Sequence, residues 1–105
     1  MGENYSLEGL KSFFRRLGEK MSVERGILFG SRAWGGAEKD SDYDLIIVSK
    51  DFAGQKFYER AVGLRQYWHI DAPVDLICFT PEEFDERAGG ANIVSEALKK
   101  GVAIV

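Results

Sequence analysis

The stretch Ile27-Leu28-Phe29-Gly30-Ser31-Arg32-Ala33-Trp34-Gly35, followed after a small, polar segment by Ser41-Asp42-Tyr43-Asp44-Leu45-Ile46-Ile47-Val48, decides how this sequence is read. Ile27-Leu28-Phe29 is a short apolar run that stops at a glycine, the pattern of a buried strand. Ser31 stands where a short helix starts. A strand that ends in glycine and turns into a helix at serine presents free backbone N–H groups, and the helix dipole adds attraction for an anion. Gly30 lets the backbone approach a phosphate closely, and the Ser31 hydroxyl can bond a phosphate oxygen. Taken alone, Gly-Ser is an ordinary turn. The interval from Gly30 to Gly35 has the spacing of a P-loop, but Gly36-Ala37 follows where Lys-Ser/Thr is required, which excludes a Walker-type ATPase.

Ten residues separate Ser31 from Asp42. Asp42 and Asp44 lie at i and i+2 where the strand Leu45–Val48 begins, so their side chains point to one face about 6.5 Å apart along the chain. Adjacent carboxylates raise one another's pKa, and a divalent cation between them removes the conflict. Oxygen-only ligands favour magnesium or manganese over zinc. Asp75, in the apolar run Val74-Asp75-Leu76-Ile77-Cys78-Phe79, supplies a third carboxylate if its strand lies beside the first with the starts level. Three such acids form a two-metal site. Each acid alone has a plainer reading as a turn residue. Asp75 fits that reading less well, since an unpaired carboxylate between Val74 and Leu76 is costly unless a metal, or exposure at a strand end, relieves it.

The rest of the chain surrounds these motifs with helices. Leu7, Leu10, Phe14, Leu17 and Met21 place one apolar stripe on a helix from about Leu7 to Lys20, capped by Ser6. Trp34 to Ser41 reads as a loop. Phe57, Ala61, Leu64 and Trp68 follow a helical period from Lys56 to Trp68, and Pro73 separates that helix from the strand Val74–Phe79. Thr80-Pro81-Glu82-Glu83 is a strong helix start, Gly89-Gly90 breaks that helix, and a last helix from about Ile93 to Lys100 ends at Gly101. Val102 to Val105 can add a final strand. The order is α-β-α-β-α-β-α-α-β, an α/β (α+β) chain with a small mixed sheet flanked by helices. It has no repeat and no linker, so residues 1–105 are expected to form a single domain.

Composition bounds the function. With 45% hydrophobic and 30% charged residues and two prolines, the chain is globular. No apolar run reaches the roughly 20 residues of a membrane span, and Met1-Gly2-Glu3-Asn4-Tyr5 has no export signal, so a cytoplasmic location is expected. Met1-Gly2 with Ser6 meets the minimal myristoylation pattern, which is too short to carry weight. A net charge of -3 argues against extensive nucleic-acid binding by phosphate neutralisation. The local basic clusters Arg15, Arg16, Lys20 and Lys99, Lys100 read as solvated helix faces. Cys78 reads as a core residue and the single histidine, His69, as structural rather than catalytic.

Together, Gly30-Ser31-Arg32-Ala33-Trp34-Gly35, Ser41-Asp42-Tyr43-Asp44-Leu45 and Val74-Asp75-Leu76 resemble the minimal nucleotidyltransferase branch of the DNA polymerase β superfamily, over about residues 23 to 80. The resemblance implies a palm-like nucleotidyltransferase fold, two magnesium ions (or manganese) held by Asp42, Asp44 and Asp75 as the catalytic acids, and ATP as substrate gripped by Gly30 and Ser31. Many relatives carry arginine where Trp34 stands, and Arg32 is the nearest replacement for that nucleotide contact. Stand-alone members of this branch are often antitoxins partnered with HEPN-domain ribonuclease toxins, and some adenylylate a tyrosine of the toxin.

The reaction implied is in-line attack of a hydroxyl on the α-phosphate, with release of pyrophosphate. The chain stops soon after the catalytic core, so a partner protein or a homo-oligomer is expected to complete the acceptor side. The leading expectation is therefore an adenylyltransferase acting on a HEPN partner. A nucleotidyltransferase for a small hydroxyl compound such as an aminoglycoside, and a non-catalytic antitoxin that acts by contact alone, stand as alternatives.

Overall fold

The computed structural model describes residues 4–36 and 41–105. Ala37 to Asp40, the end of the expected loop, and the Met1-Gly2 pattern lie outside the described residues. Four strands form one mixed sheet: β1 (Arg25–Phe29), β2 (Tyr43–Val48), β3 (Val74–Phe79) and β4 (Val102–Ala103), in the order β3-β2-β1-β4. β1 runs antiparallel to β2 and β4, and β2 runs parallel to β3. A parallel pair needs a long crossover, which the segment between Val48 and Val74 supplies. The helices are α1 (Leu7–Gly18), α2 (Ser31–Trp34), α3 (Phe57–Arg60), α4 (Pro81–Ala88) and α5 (Ile93–Lys100).

Alternation along the strands divides the core in two. Leu28, Tyr43, Leu45, Ile47, Leu76 and Cys78 face α1, whose Leu10, Phe13, Phe14 and Leu17 are buried against them. Ile27, Phe29, Ile46, Val48 and Phe79 face the other way, toward Phe84 of α4 and Val94 and Ala97 of α5. Burying each leucine, isoleucine, valine or phenylalanine among them is worth about 1.5–3 kcal/mol. Cys78 is buried, in keeping with the core reading.

Caps behave as the residues require. The Ser6 hydroxyl accepts the Gly9 N–H at 3.0 Å. Thr80 and Glu83 form a reciprocal capping box at the start of α4, and Asn92 with Ser95 does the same for α5.

Three expected elements differ. α1 stops at Gly18, short of Lys20. The expected helix from Lys56 to Trp68 divides into the single turn α3 and a 3-10 segment, Val62–Tyr67, tightened by i to i−3 bonds such as Leu64 N–H to Ala61 O at 3.0 Å. Two arginines on these segments reach the sheet: Arg60 donates to the Cys78 carbonyl and Arg65 to the Val74 carbonyl. These carbonyls lie on the side of β3 away from β2, so the arginines mask the sheet's outer edge. The last strand is also shorter than expected, pairing only Val102 and Ala103, although Ile104 and Val105 still donate to Gly26 O.

Candidate functional site

The strand-to-helix turn is built as the sequence suggests, with one change of emphasis. Gly30 has φ +78° and ψ −163°, a conformation open essentially to glycine alone. Its carbonyl accepts the N–H groups of Ala33 and Trp34, which winds α2 directly onto the end of β1. With only four residues, α2 has little dipole to offer, so any pull on an anion comes from the turn's own N–H groups and the Ser31 hydroxyl.

Asp44 sits on the second layer's face of β2, beside this turn. A Cβ added to Gly30 would run into the Asp44 carboxylate. Asp44 pairs in register with Phe29 on one side and with Asp75 on the other. The level starts of β2 and β3 are further tied by the Tyr43 N–H, which donates to Pro73 O at 2.9 Å. Asp42 is exposed immediately before β2. Burial holds the Asp44 carboxyl above the ordinary aspartate range, and the charges of Asp75 and then Asp42 push it further the same way. The three acids therefore share one electrostatic neighbourhood.

The burial cost falls on a different acid from the one the sequence suggested. Asp75 is exposed, because β3 is an edge strand and its start lies at the rim; Asp44, between Asp75 and Gly30, is the partly buried one. Among the described residues, no three His, Cys, Asp or Glu side chains are already gathered as a finished metal site. The donor set nevertheless fits a hard divalent cation, being oxygen only, and mutual repulsion is what a cation relieves.

Arg32 is 8% exposed, and its guanidinium is engaged by protein groups. Nε donates to Ser41 O at 2.8 Å, Nη1 donates to Asn4 O at 2.9 Å, and the group stacks 4.2 Å from the Tyr43 ring centroid. Trp34 is about half exposed, with the Lys100 ammonium 5.5 Å from its ring centroid. His69 is exposed on the connection that leads to β3. A cleft of about 520 Å³ beside Asn92 and another of about 310 Å³ beside Arg60 are lined by none of Gly30, Ser31, Arg32, Asp42, Asp44 and Asp75.

The model of the nucleotidyltransferase domain family matches residues 7–104, and the chain belongs to that family, whose general activity is nucleotidyl transfer. The fold is similar to the crystal structure of a provisionally assigned nucleotidyltransferase from Sulfolobus solfataricus, with a TM-score of 0.65 and 23% identity over 92% of this chain and 77% of the other. No curated protein sequence matches the chain. Among the described residues, no helix is long and apolar enough to cross a membrane.

Proposed function

We propose that the chain transfers AMP from ATP to a hydroxyl acceptor, the acceptor being a tyrosine of a HEPN-domain toxin for which this protein is the antitoxin. The observation that carries the transfer chemistry is the alignment of Asp44 with Asp75 on parallel strands, with Gly30 packed against the same carboxylate. Gly30 and Ser31 bind the triphosphate through backbone N–H groups and the serine hydroxyl, leaving the α-phosphate beside the acids. Asp42, Asp44 and Asp75 are the residues that would hold two magnesium ions, which when bound supply charge neutralisation for the phosphates and acidify the acceptor hydroxyl. In this reading Asp75 takes the proton of the incoming acceptor, and its exposure at the start of an edge strand supports that role. The acceptor oxygen then bonds to the α-phosphorus as the bond to pyrophosphate breaks. No protein nucleophile is needed, since positioning and charge stabilisation carry such a transfer.

The protein partner follows from the resemblance of the Gly30-Ser31 and Asp42-Tyr43-Asp44 motifs to the antitoxin-type branch. The test is incubation with ATP labelled at the α-phosphate, magnesium and a HEPN protein. Label should appear on the partner and vanish with Asp42→Ala. Absence of transfer from the native protein defeats the proposal, and transfer to a small hydroxyl compound without any partner replaces its acceptor.

A further inference from the structure

Arginine directly after a phosphate-binding serine invites the reading that it grips phosphate. Its surroundings indicate another task. Arg32 is almost wholly buried, and its Nε and Nη1 groups donate to Ser41 O and Asn4 O. Ser41 and Tyr43 flank Asp42, and Tyr43 separates Asp42 from Asp44. The guanidinium therefore holds the acidic segment from behind, at two points on the sequence.

Tyr43 is itself held on several sides. The Arg32 guanidinium lies on its ring, and Trp68 meets it edge to face at 5.2 Å. Its hydroxyl accepts the Ser6 N–H at 2.9 Å, and its own N–H donates to Pro73 O just ahead of β3. Because side chains alternate across a strand, fixing Tyr43 on the α1 face fixes the direction of Asp44 on the other. Arg32 also belongs to α2, so the same residue ties the turn at Gly30 and Ser31 to the acids.

We infer that Arg32 is a positioning residue, which acts through Ser41 and Tyr43 to set the Asp42–Asp44 segment against the Gly30–Ser31 turn, and that it does not serve as a phosphate ligand. This rests on the proposed transfer site for its purpose, but its geometry can be tested separately. Lysine keeps the charge and loses the planar fork that reaches two carbonyls while stacking on a ring. A phosphate ligand would tolerate that exchange far better than a clamp.

The test compares native protein, Arg32→Lys and Tyr43→Phe by amide hydrogen exchange, without metal or nucleotide, below the unfolding transition. With Arg32→Lys, exchange at the Tyr43 and Asp44 amides should rise about tenfold relative to Ile46 and Ile47, the signature of local rather than global opening. Tyr43→Phe, which removes only the hydroxyl that accepts from Ser6, should move the same amides in the same direction by a smaller factor, and Arg32→Gln, which keeps a planar donor without the charge, decides the matter should Arg32→Lys not fold. Equal change at all four amides, or none at Tyr43 and Asp44, overturns the inference. Manganese titration followed by electron paramagnetic resonance gives the second arm: Arg32→Lys should weaken binding without nucleotide by about tenfold, as loss of an outer-shell partner does. An unchanged manganese affinity joined to weakened ATP binding restores the phosphate-ligand reading. If native protein binds no manganese, the proposed transfer site fails, while the exchange data still decide the role of Arg32.

Discussion

Gly30 and Asp44 are in such close contact that a side chain at position 30 would occupy the place of the Asp44 carboxylate. The Gly30–Ser31 turn and the Asp44 carboxylate are thus two sides of one packing contact.

Gly30→Ala should accordingly damage both. The backbone conformation costs a non-glycine residue about 1–3 kcal/mol, before the added methyl displaces Asp44. For a domain of this size, that corresponds to a fall in melting temperature of about 4–8 °C per kcal/mol. ATP binding by calorimetry should be lost at temperatures where circular dichroism still reports a folded chain. Gly18→Ala is the control, since nothing lies within 4 Å of its added methyl and its residue ends α1. Gly18→Ala should leave ATP binding intact and preserve or slightly raise the melting temperature.

Asp44→Asn tests the electrostatic strain at the site. Without divalent metal, burial, Asp75 and Asp42 all oppose the charged form of Asp44. Removing the charge should raise the melting temperature measured in chelator by a few degrees, the usual trade of function for stability. Adding magnesium or manganese should raise the melting temperature of the native protein and change that of Asp44→Asn little. A native protein more stable than Asp44→Asn in chelator would show that repulsion among the acids is not a cost.

Much of this was legible in the sequence because its signals are local. Gly30 before Ser31, Thr80-Pro81-Glu82-Glu83 and the period of α1 each dictate structure within a few residues. The level starts of β2 and β3 are only a condition in the sequence, because strand pairing depends on contacts distant along the chain. Asp75 shows the limit most clearly: its apolar neighbours suggest burial, yet edge position leaves it exposed, and Asp44 bears the desolvation instead. The contacts of Arg32 were not legible for a related reason, since proximity in sequence to Ser31 says nothing about which side of the turn the guanidinium takes. The segment Lys56–Trp68 has a helical period but adopts 3-10 geometry in its second half, where Arg65 reaches the carbonyl of Val74.

The Arg60–Glu83 pair should make stability acid-sensitive in a defined window. Hydrogen bonds from Arg60 and Thr80 hold the Glu83 carboxyl down to about 2, from an ordinary 4.5. A depressed acid stabilises the fold above its unfolded pKa, and that contribution is lost as pH falls from about 4.5 through about 2. The Glu83 side chain is 34% exposed although its partner is buried, so solvent screening reduces the contribution to about 1–2 kcal/mol. Glu83→Gln should be less stable than native protein at neutral pH by that amount, with the gap closing at the acid end of a urea-denaturation series. A gap independent of pH would assign the effect to packing alone.

Cys78 offers a probe of how β3 opens. Its thiol lies in the layer under α1, where burial pushes its pKa up to about 12 and the Arg60 charge offsets only part of the rise. Since the thiolate is the reacting form, a disulfide reagent at neutral pH should find the native thiol inert and the urea-unfolded one fully reactive. The two arginines that mask the β3 edge give the reaction its structural meaning. Arg60 donates to the carbonyl of Cys78 itself, whereas Arg65 donates to Val74 at the other end of the strand. Arg60→Ala breaks that bond and the ion pair with Glu83 together, and should speed Cys78 labelling at least tenfold; Arg65→Ala should change it less. Equal acceleration by both variants would mean that β3 leaves the sheet as a unit, and rapid labelling of the native protein would contradict the buried position of the thiol.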